Sequence, residues 1–456
     1  MTATEVLTTM DCTKTEAMKP PLPKTQMPPL FDQPVTAKNW YKFVNWPQSI
    51  LLLSTPLIAL YGVFSTELKR QTLIWAIIYY FITGLGITAG YHRMWAHRAY
   101  RGTLLLRWFF CFAGAGAVEG SIYWWSRGHR AHHRWTDTDK DPYSAHRGFF
   151  FSHFGWMLVQ RPKNRIGYAD VADLKADPVV AFQHKLYPYF ALGMGFIFPT
   201  LVAGLGWGDF RGGFFYAAVF RLCFVHHATF CVNSLAHYLG EATFDDHNSP
   251  RDHWITAIAT LGEGYHNFHH QFPQDYRNAI KWDQYDPTKW LIIVLSWFGL
   301  AYELKEFPSN EVNKGRIFMQ EKKLRAEKAK LNYGTPLKDL PVFTWDEFQS
   351  LVLNENKKWI LIEGVLYDVG KFMKEHPGGV KYLSTAIGKD MTTAFNGGIY
   401  NHSNGARNLL TSLRCGVLKN GMQVMSESDA NNATAHTYDV SLEYNSKIAD
   451  FYKKSD

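Results

Sequence analysis

"HRAHHRWTDTDKDP", residues 129–142, sets three histidines within five positions, follows them with three aspartates, and comes directly after the aromatic run "IYWW". On a helix His129, His132 and His133 fall at i, i+3 and i+4, which gathers their rings on one face. "HNFHH" repeats that spacing at His266, His269 and His270. "HRMWAH" supplies His92 and His97, and "NSLAH" supplies Asn233 and His237 at i and i+4.

The surroundings of these groups decide the fold class. Apolar segments at 48–65, 72–91, 186–206 and 213–236 each come near the ~20 residues that a helix needs to cross a bilayer. Four membrane spans are predicted, although the mean hydropathy of −0.21 averages them away. The stretch 103–118 is apolar but short and carries Arg107, which suits an interfacial or buried helix. The loop 92–185 is dense in Arg and Lys, whereas 66–71 and 207–212 carry few. The positive-inside rule therefore puts that loop, both termini and all four histidine groups on the cytosolic side.

Composition removes other classes. The five cysteines form no CxxC pair, which suits a reducing compartment and argues against a thiolate metal site. The net charge of +8 suits a lipid membrane or an anionic substrate, and no nucleic-acid module is present. The Pro-rich start, "KPPLPKTQMPP", has no signal-peptide pattern and reads as a disordered cytosolic tail over 1–39.

A lone histidine is ordinarily a residue satisfied by one hydrogen bond, but ionisable groups repeated at span ends are expensive without a task. Nine histidines and one asparagine offer two metals four or five nitrogens each. Structural zinc needs only four ligands and usually uses cysteine. Two iron ions that bind and reduce O2 are the better reading. Asp137, Asp139 and Asp141 either accept the outer ring N–H of bound histidines or form a polar turn before Pro142. His146, His153, His184, His247, His253 and His436 lack partner spacing and read as structural. His226 shares a helical face with Asn233 but lies deeper, which favours packing; Arg221 is expected to face inward.

After "WLIIVLSWFGLAYEL" (290–304) the composition changes. Residues 306–340 read as a charged helical linker, 341–420 as a compact soluble domain with the strand-like "WILIEGVLYDV", and 421–456 as a polar tail. There is no internal repeat.

Four motifs, "GITAGYHRMWAH", "HRAHHRWTDTDKDPY", "NSLAHYLG" and "GEGYHNFHHQFPQDYRN", resemble in their order the membrane acyl-CoA desaturases of the stearoyl-CoA type that introduce the Δ9 double bond. The resemblance covers about 40–305. Front-end desaturases typically carry Gln where His266 stands and have their cytochrome domain at the N-terminus, so that branch is set aside. The resemblance implies a di-iron centre held by His92, His97, His129, His132, His133, His237, His266, His269 and His270, with Asn233 acting through a water. It implies a tunnel that bends the acyl chain past the irons, with Tyr80 and Gly84 lining its far end. The CoA head group falls to Arg127, Arg161, Lys163 and Arg165. The small residues of "ITGLGITAG" either let the chain pass close to the backbone or serve helix packing.

"KEHPGGVKYLSTAIGKDMTTAF" followed by "YNHSNGARNLL" resembles a cytochrome b5 domain over about 341–420, placed at the C-terminus as in the fungal kind of desaturase. His376 and His402 are then the axial ligands of haem b, which leaves no open position for O2, so the haem carries electrons. A tethered haem delivers them at high effective concentration, from NADH through a cytochrome b5 reductase. That segment has nine Lys+Arg against seven Asp+Glu, whereas relatives that dock on a basic reductase are commonly acidic. Lys453 and Lys454 are similar to a dilysine signal of the endoplasmic reticulum membrane. Asn401 and Asn432 match glycosylation sequons, which a cytosolic C-terminus leaves unmodified.

The expected fold is an all-α integral membrane protein, four transmembrane helices with a cytosolic helical di-iron domain, followed by a small α+β cytochrome b5-like domain. The expected activity is O2-dependent Δ9 desaturation of saturated long-chain acyl-CoA. A di-iron fatty acyl hydroxylase is the nearest alternative; a membrane-anchored electron-transfer haem protein is the alternative from another class.

Overall fold

Leu57, Phe64 and Leu205 are 68%, 82% and 77% exposed, large apolar side chains of the kind that gather in surfaces turned to lipid or a partner. They belong to helices built for lipid. In the computed structural model, which describes residues 27–162 and 165–421, four helices among the described residues are long and apolar enough to cross a membrane: Trp46–Ser65, Arg70–Ala96, Tyr187–Trp207 and Phe210–Tyr238. The chain divides into two compact units with a boundary between Lys323 and Leu324.

In the first unit the helix Leu104–Ala115 is too short to span. Leu104, Leu105, Phe109 and Phe112 are exposed along it, while Arg107 pairs with Asp177, which accounts for a cation inside an apolar stretch. The small residues of the second span are used for packing: a Cβ on Gly86 would lie 2.7 Å from the Ala113 carbonyl carbon, and one on Gly90 would lie 2.7 Å from Phe110 Cβ. Arg221 faces inward, fully buried. Its guanidinium donates to the carbonyls of Gly116 (2.8 Å), Gly195 (3.0 Å) and Ala217 (3.1 Å), tying the third and fourth spans to the end of the short helix. An intramembrane arginine finds carbonyl partners because hydrocarbon offers none.

The expected tail ends earlier than residue 39. Phe31 packs on Phe43 with ring centroids 4.4 Å apart. Arg147 donates to the Pro28 carbonyl at 2.9 Å, and Arg165 to the Pro29 carbonyl and Asp32 Oδ1, both at 2.5 Å. One aromatic anchor and two guanidinium clamps suffice to lay this polar segment on the domain. The dilysine, Asn432 and His436 lie outside the described residues.

Past the boundary a four-stranded sheet runs in the order Val342–Phe343, Arg414–Leu418, Val365–Asp368, Trp359–Ile362. "WILIEGVLYDV" is a hairpin: Glu363 (φ 51°) and Gly364 (φ 73°) make its two-residue turn, the left-handed pair that matches strand twist. Ile360, Ile362, Val365 and Val417 form the core against it. Thr344 and Glu347 close a capping box at the start of Trp345–Asn354. The fold is the one the sequence implies: a mostly helical membrane unit and a small α/β unit.

Candidate metal centre and substrate cavity

Ser121 caps the helix Ile122–Trp135, its Oγ accepting from Trp124 N at 3.2 Å, and the i, i+3, i+4 phase then turns His129, His132 and His133 to one side. The third group rides on the short helix His266–Gln271, whose first turn is held by Asp252 Oδ1 accepting from Asn267 N (2.9 Å) and Phe268 N (3.1 Å). His92 and His97 need a different device. Five residues of α-helix rotate a side chain ~140° away, but the second span continues as a π-helix over Gly86–Ala96 and His97 N donates to the His92 carbonyl at 3.0 Å. That i→i+5 bond stacks the two residues on one side, with rings 4.8 Å apart.

Eight of the nine histidines converge in two sets of four. His92, His97, His129 and His269 form one four-nitrogen group, His132, His237, His266 and His270 the other, each with ligand atoms within 4.8 Å of one another. Nε2–Nε2 distances are 2.8 Å for His97–His129, 3.0 Å for His92–His269, 3.2 Å for His237–His266 and 3.3 Å for His132–His270. His133 stands between the sets: its Nε2 is 3.0 Å from His269 Nε2, and its ring stacks on His270 at 4.1 Å. Nitrogens bound at about 2.1 Å to a shared ion lie about 3 to 4 Å apart, so both groups fit a cation. Burial, and then repulsion between neighbouring rings, holds His97, His129, His133, His266, His269 and His270 well below the ordinary imidazole range. Their lone pairs stay free for a metal.

The outer ring nitrogens are aimed at acceptors, which fixes the tautomer and leaves Nε2 to face inward. His132 Nδ1 lies 2.9 Å from Asp141 Oδ1. His237 Nδ1 lies 2.7 Å from Ser249 Oγ, which donates to Asp137 Oδ1 at 2.7 Å. His92 Nδ1 faces Glu263 Oε2 at 3.1 Å. The Asp139 carbonyl accepts from Arg161 at 2.9 Å, and its carboxylate faces the guanidinium groups of Arg147 and Arg161. Burial works against the Glu263 charge, but the neighbouring His92 and Arg93 outweigh it and hold its carboxyl at about 2.

A cavity of about 540 Å³ borders the first histidine group. Tyr80, Gly84, His92, His129 and Asn233 are in its wall, which is otherwise mostly apolar. Arg127 is exposed at the cavity. Arg161 also borders it, but its guanidinium donates to the carbonyls of Asp139, Asp141, Pro142 and Arg165 at 2.8–2.9 Å, a strut for the loop that carries Asp141. Arg165 is turned to Pro29 and Asp32, and Lys163 lies outside the described residues. His226 does two things: its Nε2 bonds the Ala117 carbonyl at 2.9 Å and its side chain lies in the cavity wall.

Sequence reasoning missed Glu119, an acid standing alone after an apolar run. Trp125 Nε1 donates to its Oε2 at 3.1 Å and Thr229 Oγ1 to its Oε1 at 2.8 Å; Trp125 in turn stacks on His129 at 5.0 Å. Burial pushes the Glu119 carboxyl up to about 8, so at neutral pH it is an uncharged acid in an apolar wall. Between about 4.5 and about 8 the native carboxyl keeps a proton that the unfolded chain has released, so its contribution to stability falls as pH rises through that window. Above pH 8 turnover drops about tenfold per unit as a carboxylate enters the cavity. Glu119→Gln removes that alkaline limb, since the Thr229 hydroxyl reverses to accept from the amide. Rate against pH for both proteins checks this; an unchanged limb in the variant refutes it.

In the second unit the rings of His376 and His402 lie 6.5 Å apart, centroid to centroid. Bis-imidazole ligation at about 2 Å per bond requires nearly that separation. His376 Nδ1 is 3.3 Å from the Gly379 carbonyl and His402 Nδ1 3.0 Å from the Phe395 carbonyl, so each Nε2 is the free one. Gly379, at φ +90°, makes the turn that returns its carbonyl to His376.

The model of the fatty acid desaturase family matches residues 71–296, and that of the cytochrome b5-like haem/steroid binding domain matches 344–419. A probable acyl-CoA desaturase of Schizosaccharomyces pombe is 55% identical over 393 residues, 86% of this chain and 81% of the relative. The chain belongs to the fatty acid desaturase family. Acyl-CoA desaturase 1 of Saccharomyces cerevisiae is 46% identical over 85% of this chain and 76% of its own length. Stearoyl-CoA desaturase 5 of Homo sapiens is 41% identical over 61% of this chain and 87% of its own length. This desaturase is thus an oxidoreductase of lipid metabolism with a fused cytochrome b5-like domain.

Proposed function

We propose that the desaturase inserts the Δ9 double bond into saturated long-chain acyl-CoA, consuming O2 at a di-iron centre. The observation that carries this reading is the convergence of two four-nitrogen groups, the first of them beside an apolar cavity. His92, His97, His129, His133 and His269 hold one iron; His132, His237, His266 and His270, with Asn233 through a water, hold the other. Bound iron supplies the oxidant that takes hydrogen from an unactivated methylene. The balance is R–CH2–CH2–R′ + O2 + 2e⁻ + 2H⁺ → R–CH=CH–R′ + 2H2O. The chain's own residues do the rest: the outer-nitrogen acceptors orient the imidazoles, the apolar wall excludes water, and Tyr80 and Gly84 bound the far end of the acyl chain. Arg127 is the cation best placed for the phosphates of the head group. Arg161 and Arg165 serve the protein first.

Electrons come from NADH through a cytochrome b5 reductase and a haem b held by His376 and His402. The protein resides in the endoplasmic reticulum membrane with both termini and the iron site in the cytosol, an orientation supported by the Arg/Lys-rich loop.

Expression in a host that lacks its own Δ9 desaturase tests the reaction. New Δ9 monoenes are expected, absent from a His132→Ala control. Hydroxylated chains in their place assign the protein as a hydroxylase; unchanged lipids with a reducible haem assign it as an electron carrier.

A further inference from the structure

Glu263 is 3% exposed and sits three residues before His266. Its Oε1 accepts from Arg93 Nη2 at 2.9 Å, and Asn278 Nδ2 donates to its Oε2. Arg93, 1% exposed, also reaches Asp286 Oδ1 at 2.9 Å and the Tyr276 carbonyl at 2.8 Å. Asp286 Oδ1 accepts from Lys289 N at 2.9 Å and thereby caps the helix Pro287–Trp297. The Lys289 ammonium is spent elsewhere, on the carbonyls of Ala279 and Lys281. Two buried carboxylates therefore share one arginine. Buried charge of this kind is costly unless it is matched, and the polar atom left without a hydrogen bond beside the network is His92 Nδ1, 3.1 Å from Glu263 Oε2.

We propose that Glu263 is the positioning residue of His92: held by Arg93 and Asn278, its carboxylate accepts the Nδ1–H, keeps the Nε2 lone pair turned toward His269, and balances the charge of the metal bound there. The proposal rests on the di-iron reading above. Histidine ligands with such a carboxylate bind metal more tightly, and losing the partner typically costs 10–100-fold in affinity.

Glu263→Gln is a sharp test because the amide has only one acceptor. Arg93 is a donor only and claims the amide oxygen at the Oε1 position, so the NH2 group takes the Oε2 position, donates to a rotated Asn278 amide and faces His92 Nδ1. His92 must then accept there and carry its proton on Nε2, where it can no longer ligate. Two measurements on the purified full chain decide: iron per chain, and thermal unfolding of the metal-free protein. The expected result is two irons in wild type and about one in Glu263→Gln, with the metal-free proteins unfolding together. Asn278→Ala, which frees the carboxylate without removing it, is expected to weaken iron about tenfold and decides the matter if Glu263→Gln does not fold. Wild-type iron binding in a folded variant overturns the proposal, as does a metal-free Glu263→Gln protein that melts earlier in proportion to its iron loss, which would make the residue structural. A wild-type chain without iron instead overturns the di-iron reading itself.

Discussion

Replacing His269 with alanine removes desaturation by at least about 100-fold and leaves the haem spectrum intact. His269 is the ring on which the first group converges: its Nε2 is 3.0 Å from both His92 and His133, and its ring lies 4.6 Å from His97. It is 2% exposed, so no water substitutes for the imidazole without a cavity that the surrounding rings must reshape. The effect exceeds that of Glu263→Gln, which misdirects a ligand and leaves the ring in place. Monoene yield per chain and iron per chain check it together. Activity above a tenth of wild type would mean that the histidine groups do not hold the reacting metal.

Much of this architecture is legible in the sequence because two periods are stated plainly there. Apolar windows near the length of a bilayer give the four spans, and the i, i+3, i+4 phase of His129, His132 and His133 needs only a helix. The His92–His97 pair is not phased for an α-helix, and nothing in "HRMWAH" announces the π-helical turn that aligns it; the close approach of Gly86 and Gly90 to the short helix fixes that turn. The division of eight histidines into two sets, with His133 between them, is likewise a tertiary fact, made when the helix His266–Gln271 lies against Ile122–Trp135. Charge pattern singles out Arg161 and Arg165 as cations but is silent on whether carbonyls will consume their donors. Glu119 and Glu263 escape for a shared reason: each is a single carboxylate whose meaning comes from partners, Thr229 and His92, more than a hundred residues away in the chain.

His402→Ala abolishes haem binding and lowers desaturation at least tenfold wherever no other cytochrome b5 is present. A bis-imidazole haem depends on both rings, and the His376–His402 separation of 6.5 Å leaves no other described histidine in a position to replace either. The defect is one of electron supply, so the variant keeps the iron content of wild type, in contrast to His269→Ala. Free cytochrome b5 added in trans is expected to restore turnover only at concentrations in the range that a tether would supply locally, on the order of a millimolar. Single turnover of chemically reduced protein separates the steps further: His402→Ala forms one round of monoene at the wild-type rate, whereas His269→Ala forms none. If His402→Ala desaturates normally without added cytochrome, electrons enter the iron site by a route that bypasses the fused haem, and the second unit serves some purpose other than electron delivery.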